Sequence, residues 1–325
     1  MIPKAYIQSN FFNKIGSNTM DDLKTKIDIY DAIKQSNSHV IIDASEDDIN
    51  NDPFLKVIIK QCNYDKCSKD YIDKTIDSLK SSNNSEDLCA TYFLDKTQKE
   101  CETIEKKYGI VAFCSISFPQ KNYLFKGEAI ELEKNILYKQ RYMFFKDKLR
   151  IPCNSLIIID PYLLVKNANI SNNLEYLLDA ILPEKLDIDF HITIISMCNT
   201  SNQLEGNEET YKLVKECLTK IRKDLNIKFG FCNTTNDKGF HSRHIISNNY
   251  IIDSENGFDL FNNKGKISKN NTTISIVFPR LVGDHRKDMT KYINWIKDVK
   301  KHINKHQDEP YSCGESENRL FDLAT

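Results

Sequence analysis

The stretch that most limits the fold is NSLIIIDPYLL at 154–164, where Leu156 to Ile159 are apolar without a break and Asp160-Pro161 halts the run. A half-exposed strand alternates apolar and polar residues, so an unbroken run of this length fits a strand covered on both faces, the pattern of a parallel sheet flanked by helices. Proline, lacking a backbone N–H, ends the ladder. The segments that follow repeat the theme. ISNNLEYLLDAILPE (170–184) carries Leu174, Leu177, Leu178 and Ile181 on one helical face, and DFHITIISM (189–197) is a second buried strand. NEETYKLVKECLTKIRKDL (207–225) is a helix with Tyr211, Val214, Cys217, Leu218 and Ile221 as its apolar stripe, and IKFGFCN (227–233) is a third strand. His191 sits among apolar strand residues and is expected to be a satisfied core histidine. Strands alternating with helices specify an α/β fold.

The first half has the same rhythm. KAYIQSNFF (4–12) is expected to be a strand, followed by a helix over 19–35 with Leu23, Ile27, Tyr30 and Ile33 at core spacing and Thr19 as its cap. HVIIDAS (39–45) is a short β-branched run, DPFLKVIIKQ (52–61) a helix opening on Pro53, and DYIDKTIDSLK (70–80) another helix. TYFLD (91–95), KTQKECETIEKKYG (96–109) and IVAFCSIS (110–117) form a strand-helix-strand unit with Gly109 as C-cap. A charged stretch at 118–150 reads as a loop and a helix joining two packed α/β domains. The expected division is 1–145, 146–306 and a loose polar tail at 307–325.

Composition narrows the partners. Lys+Arg 45 against Asp+Glu 46 leaves a formal charge of −1 on 325 residues, so no global basic field attracts nucleic acid or anionic lipid, and such a ligand must be held locally. The best local candidate is the basic helix at 284–306, with Lys291 and Lys297 among its exposed cations and Tyr292, Trp295, Ile296 and Val299 for packing. The ten cysteines are scattered, several inside apolar runs, as befits small buried hydrophobes in a reducing compartment. Cys62 and Cys67 have no second pair nearby to complete a zinc site. With no signal segment and no apolar run of about 18 residues, a cytoplasmic protein is expected.

The chemistry concentrates in FHSRHIISNNYIIDSENGFDLF (240–261). In an extended strand residues two apart share a face, so His241 and Arg243 project together, while His244 points to the other face and is expected to be structural. A guanidinium offers a planar fork to a phosphate, and an imidazole beside it can attack, donate a proton or hydrogen-bond. The alternative is a His and an Arg on a solvated edge. Asp259, two residues after Gly257, is placed either to hydrogen-bond His241 or Arg243 or to cap turn amides. Strand ends at Asp160 and His241 would lie along one edge of the sheet, where open α/β sheets bind ligands.

Two resemblances add to this. Residues 154–281 resemble the phospholipase D-like C-terminal domain of MIT-domain proteins: IIIDPYLL, a helix and strand ending TIISM, a second helix, H-S-R-x4-N-N and GFDLF occur in that order. The resemblance implies a phospholipase D-like fold and a phosphodiester site with His241 as nucleophile, Arg243 in the place of the family's lysine and Asn248 in the place of its aspartate. In that superfamily two copies of the motif meet. One copy is found here, so a complete two-histidine site requires a homo-oligomer. The residues before 154 read as α/β and not as a three-helix MIT domain, so a trafficking role is not carried over. YIQSNFF and FLDKTQKECETIEKKYGI resemble, more loosely, the first strand and a late strand-helix-strand unit of PIN-like nuclease domains. That family holds divalent metal with carboxylates. Here Gln8 stands at the first acidic position, Asp95 matches a later one, and Asp43, Glu46, Asp47 and Asp48 are acids without a fixed counterpart.

These resemblances imply a nuclease-like phosphodiesterase of a microbial defence or conflict system, acting on nucleic acid or another phosphodiester through His241, Arg243 and Asn248. Arg243, Asp259, Lys291 and Lys297 would hold phosphate, and Asp95 and Asp43 would form an acidic site in the first domain. No cofactor is expected, except divalent metal if the first domain is active. The alternative is a non-catalytic phosphate, nucleic-acid or phospholipid binding module, or a structural subunit of a larger complex.

Overall fold

A computed structural model describes residues 3–16, 19–81, 84–116, 127–149, 151–165, 167–197, 207–234, 240, 243–268, 270–278, 286–307 and 312–324. The fold is α/β, as its alternating pattern requires. The chain divides into two compact units, one comprising Met1–Gly127, Phe278–Ile293 and Asp322–Thr325, the other Glu128–Val277 and Asn294–Phe321.

The first unit is a five-stranded parallel sheet: β1 (Lys4–Gln8), β2 (His39–Asp43), β3 (Tyr64–Lys66), β4 (Thr91–Leu94) and β5 (Val111–Cys114), in the order β3-β2-β1-β4-β5. Its central strands are buried along nearly their whole length, the pattern of a sheet covered on both faces. The helices of this unit start where local chemistry dictates. In α1 (Met20–Gln35), Thr19 and Asp22 form a reciprocal capping box. In α2 (Pro53–Gln61), Asp52 accepts the amides of Phe54 and Leu55 while Pro53 takes the first helical position. Next come α3 (Tyr71–Ser78) and α4 (Gln98–Tyr108), the latter capped by Thr97 and Glu100 and closed by Gly109 in the left-handed region. One expectation about α1 fails. Its buried residues are Lys26, Ile29, Ala32 and Ile33, whereas Leu23 and Ile27 are over 40% exposed. The Lys26 ammonium lies 5.4 Å from the Phe54 ring of α2, so a lysine stem takes a core position that apolar spacing assigned elsewhere.

The second unit carries an eight-stranded mixed sheet in the order β13-β9-β8-β7-β10-β11-β12-β6. Here β7 (Ser155–Ile159), β8 (Phe190–Met197) and β9 (Ile227–Thr234) are parallel, with α5 (Glu175–Ile181) and α6 (Asn207–Ile221) following β7 and β8 in sequence. The antiparallel part runs outward from β7 through β10 (His244–Ser247), β11 (Ile251–Ser254) and β12 (Thr272–Val277) to β6 (Glu128–Leu132). The strand at 128–132 corrects the expectation of only loop and helix over 118–150: in EAIEL, Ala129 and Glu131 are exposed while Glu128, Ile130 and Leu132 lie on the more buried face, an edge-strand pattern hidden in a charged context. Ser312–Gly314 forms β13 on the edge of β9, and Leu320 is fully buried, so residues of the expected loose tail are packed instead. Helix α7 (Arg286–His306) contributes Asn294 onward to this unit. Among the described residues no helix is long and apolar enough to cross a membrane.

Candidate functional site

The edge where β7 ends and β10 begins gathers four side chains. Asp160 follows the last residue of β7 and is completely buried. Its Oδ1 accepts the Tyr162 amide at 2.8 Å and its Oδ2 accepts the Phe258 amide, so one carboxylate ties the Asp-Pro-Tyr turn to the Gly-Phe-Asp turn 98 residues later. Burial pushes its pKa up to about 6; the charge of Asp259 adds to the rise, and the two amides and Arg243 oppose it. Gly257, at φ +84°, occupies the gap between Asp160 and Arg243. A Cβ there would lie 2.8 Å from Asp160 Oδ2 and 2.9 Å from Arg243 Cδ, so both conformation and space demand glycine.

Arg243 is half-buried and immediately precedes β10. Its guanidinium carbon lies 5.5 Å from the Tyr162 ring centroid, Nη1 donates to the Glu255 carbonyl at 2.8 Å, and its own carbonyl accepts the Ser254 amide at 3.1 Å. Its Nε is buried and has no hydrogen-bond partner among the described residues. The guanidinium is therefore held at one corner and stacked on a ring before any ligand arrives. The described strand begins at His244 instead of Phe240, and His241 lies outside the described residues. Asp259, half-buried, sits close enough to act on Asp160, which places it on the same edge.

The remaining candidates disperse. Asn248 is 1% exposed, and its Oδ1 accepts the Asn154 amide at 2.9 Å, just before β7 starts. The antiparallel register pairs His244 with Ile159 and Ser247 with Leu156, so Asn248 and Arg243 lie at opposite ends of β10, about 17 Å apart for five extended residues. His244 is structural: buried, paired through Nδ1 with Asp253 across the hairpin and stacked on Trp295 with ring centroids 3.8 Å apart. His191 is half-buried, and burial with Arg319 nearby depresses its pKa to about 4, leaving it neutral. Lys297 is exposed on α7, whose Trp295 and His302 pack on His244 and on Phe240. Lys291, also exposed, belongs to the part of α7 in the first unit.

In the first unit the strand order reverses between β1 and β4, the crevice where open α/β sheets bind ligands. Gln8 fills that position. It is 7% exposed, accepts the Asp95 amide at 2.7 Å and donates to Asp73 Oδ2 at 3.1 Å. Lys14 pairs with Asp95 and Lys96 with Asp73 at 2.6 Å. Asp43 ends β2 almost fully buried, accepts the Ser9 amide at 3.0 Å and has its pKa pushed up to about 6, chiefly by burial and further by Asp73 and Asp70. Glu46, Asp47 and Asp48 open a short helix, with Asp48 in a capping box with Ser45. Among the described residues, no three His, Cys, Asp or Glu side chains are grouped to hold a metal ion. With an amide in the centre and a lysine on each of two carboxylates, the side chains present do not fit a divalent-metal site. Burial pushes the Cys67 thiol up to about 11.

Sequence reasoning reached Arg243 and Asp259 but left Tyr162, Gly257 and the tying role of Asp160 unassigned. The available signal was Asp-Pro at a strand end together with Asn-Gly before Phe258. Asp73, Lys14 and Lys96 had none, since only folding brings them to Gln8. No family model matches the chain, and no curated protein matches it.

Proposed function

We propose that the second unit is a phospholipase D-like phosphodiester site that acts on nucleic acid at the Arg243 edge. The observation that carries this is the preset guanidinium, stacked on Tyr162, anchored to the Glu255 carbonyl and wedged beside Gly257. Such a fork holds non-bridging phosphate oxygens with little ordering left to do. His241, two residues away, is the nucleophile: its imidazole nitrogen forms a bond to phosphorus as the bond from phosphorus to the leaving oxygen breaks, the leaving oxygen takes a proton, and water then releases the phosphohistidine. One motif copy supplies one histidine, so the proton comes from a second chain or from solvent. This chemistry needs no metal. A nuclease-like effector of a microbial defence system, in the cytoplasm, remains the context that fits this chemistry.

A second reading is phosphate binding without turnover. It is supported by Asn248, whose carbonyl is committed to the Asn154 amide far from Arg243, and by the lysine-paired carboxylates around Gln8 in a unit that resembles PIN-like domains.

Labelled single- and double-stranded DNA and RNA, incubated with the full chain in EDTA or in Mg²⁺ or Mn²⁺, separate these. Cleavage in EDTA that disappears in His241→Ala is the expected result. Binding without cleavage, weakened in Arg243→Ala, leaves the second reading. Cleavage that requires metal and is lost in Asp95→Ala moves the activity to the first unit and overturns both.

A further inference from the structure

Helix α1 of the first unit exposes an apolar stripe. Met20 is 80% exposed, Leu23 42% and Ile27 43%, and Tyr30 is half-exposed. Their spacing of three, four and three residues continues to Lys34, whose ammonium lies over the Tyr30 ring. This is a two-heptad seam of the kind that faces another helix. The helix already has its inward face, made by Lys26, Ile29, Ala32 and Ile33, so the seam is a second apolar surface on one helix. Large apolar side chains left in a row in this way mark a contact surface.

The charges beside the seam identify the occupant. Lys24 and Asp31 flank it on the same side, one helical turn to either side of a midpoint between Ile27 and Asp28. Turning the helix end for end about that midpoint brings Lys24 of one copy onto Asp31 of the other, and the reverse pair forms at the same time. The ends agree with this. Asp21 lies in the first turn and Lys34 in the last, so an antiparallel partner sets the basic end against the acidic end. A parallel partner would set like against like. A pattern that complements itself under a twofold axis is what an isologous interface requires.

We infer that α1 is a self-association surface, on which a second copy of this chain packs its own α1 antiparallel, with Ile27 of each copy beside the twofold axis. A helix of 16 residues is about 24 Å long, a short seam, so association falls on the order of micromolar. This inference is independent of any activity at Arg243.

Sedimentation velocity on the full chain, from low to high micromolar concentration, is the test. The wild type should pass from monomer to dimer. Ile27→Glu, a change at an exposed position, should weaken the dimer about tenfold or more, because it places two charges in an apolar seam. Lys24→Glu alone should weaken it several-fold, and Lys24→Glu combined with Asp31→Lys should restore it, since the swap rebuilds both pairs. A wild type that stays monomeric throughout, a dimer indifferent to Ile27→Glu, or a double variant no better than Lys24→Glu would each overturn the inference. Circular dichroism of every variant confirms that the fold is retained.

Discussion

Asp160 is the residue on which the candidate site turns, and its proton makes that measurable. Its folded pKa of about 6 stands above the ordinary carboxylate value of 3.8, so the native chain keeps this proton to a higher pH than the unfolded chain does. The penalty for burying the charge is absent below about pH 4 and complete above about pH 6. The unfolding free energy of the wild type, relative to Asp160→Asn, should fall by up to about 3 kcal/mol between pH 4 and pH 7, read from denaturant midpoints. No pH dependence of the difference would mean that Asp160 has the same pKa in the native and the unfolded chain. Gly257→Ala tests the same corner sterically. A left-handed φ and a Cβ 2.8 Å from the carboxylate should cost about 1–3 kcal/mol of stability and displace Arg243, so phosphate binding should weaken together with the thermal midpoint. Residue types were legible here in advance: an Asp-Pro strand end and an Asn-Gly turn announce a site edge. Asn248 was misleading because five residues are close in sequence, while an extended strand carries them to opposite ends of a sheet.

At the scale of elements, the short C-terminal pieces of the second unit matter more than their polarity suggests. Arg319 is 7% exposed and donates to the Asn154 carbonyl and side chain at 3.1 Å, to Ser155 Oγ at 3.3 Å and to the Asp189 carbonyl at 3.1 Å. Asn318 adds bonds to the Leu156 carbonyl and to Thr193, both at 3.0 Å. These polar residues add donors to backbone carbonyls at the starts of β7 and β8, including the Asn154 carbonyl, which also accepts the His191 amide at 3.1 Å. Arg319→Ala removes these buried charged donors at once and should cost about 1–3 kcal/mol, visible as a lower urea midpoint with little change in slope. A hydropathy pattern cannot reveal this, because it treats a polar tail as solvated. The helices and buried strands were legible, being written in period and caps, whereas β6 was not, since a charged edge strand has the composition of a loop. The misassigned face of α1 has a similar origin: apolar spacing shows that a stripe exists, and only Lys26 lying over Phe54 shows which side packs.

For the whole molecule, two units with sheets of different design share one chain, and each has an edge of the kind at which open α/β sheets bind ligands. The carboxylates beside Gln8 are paired with lysines, and the edge at Arg243 presents a stacked guanidinium, so chemistry is expected of the second. The stripe on α1 adds a means of bringing two chains together. Arg319 carries one more consequence, for the order in which the molecule is made. The Asn154 carbonyl at the mouth of β7 accepts the His191 amide at 3.1 Å, and its second donor, Arg319, comes from a residue 165 positions later in sequence. At ribosomal speeds of about 5–20 residues per second, that wait is roughly 10–30 s, during which the central strand of the second sheet has emerged but its lock has not been translated. A nascent chain halted before Arg319 should therefore be cut by protease within this sheet, and one extended past it should resist.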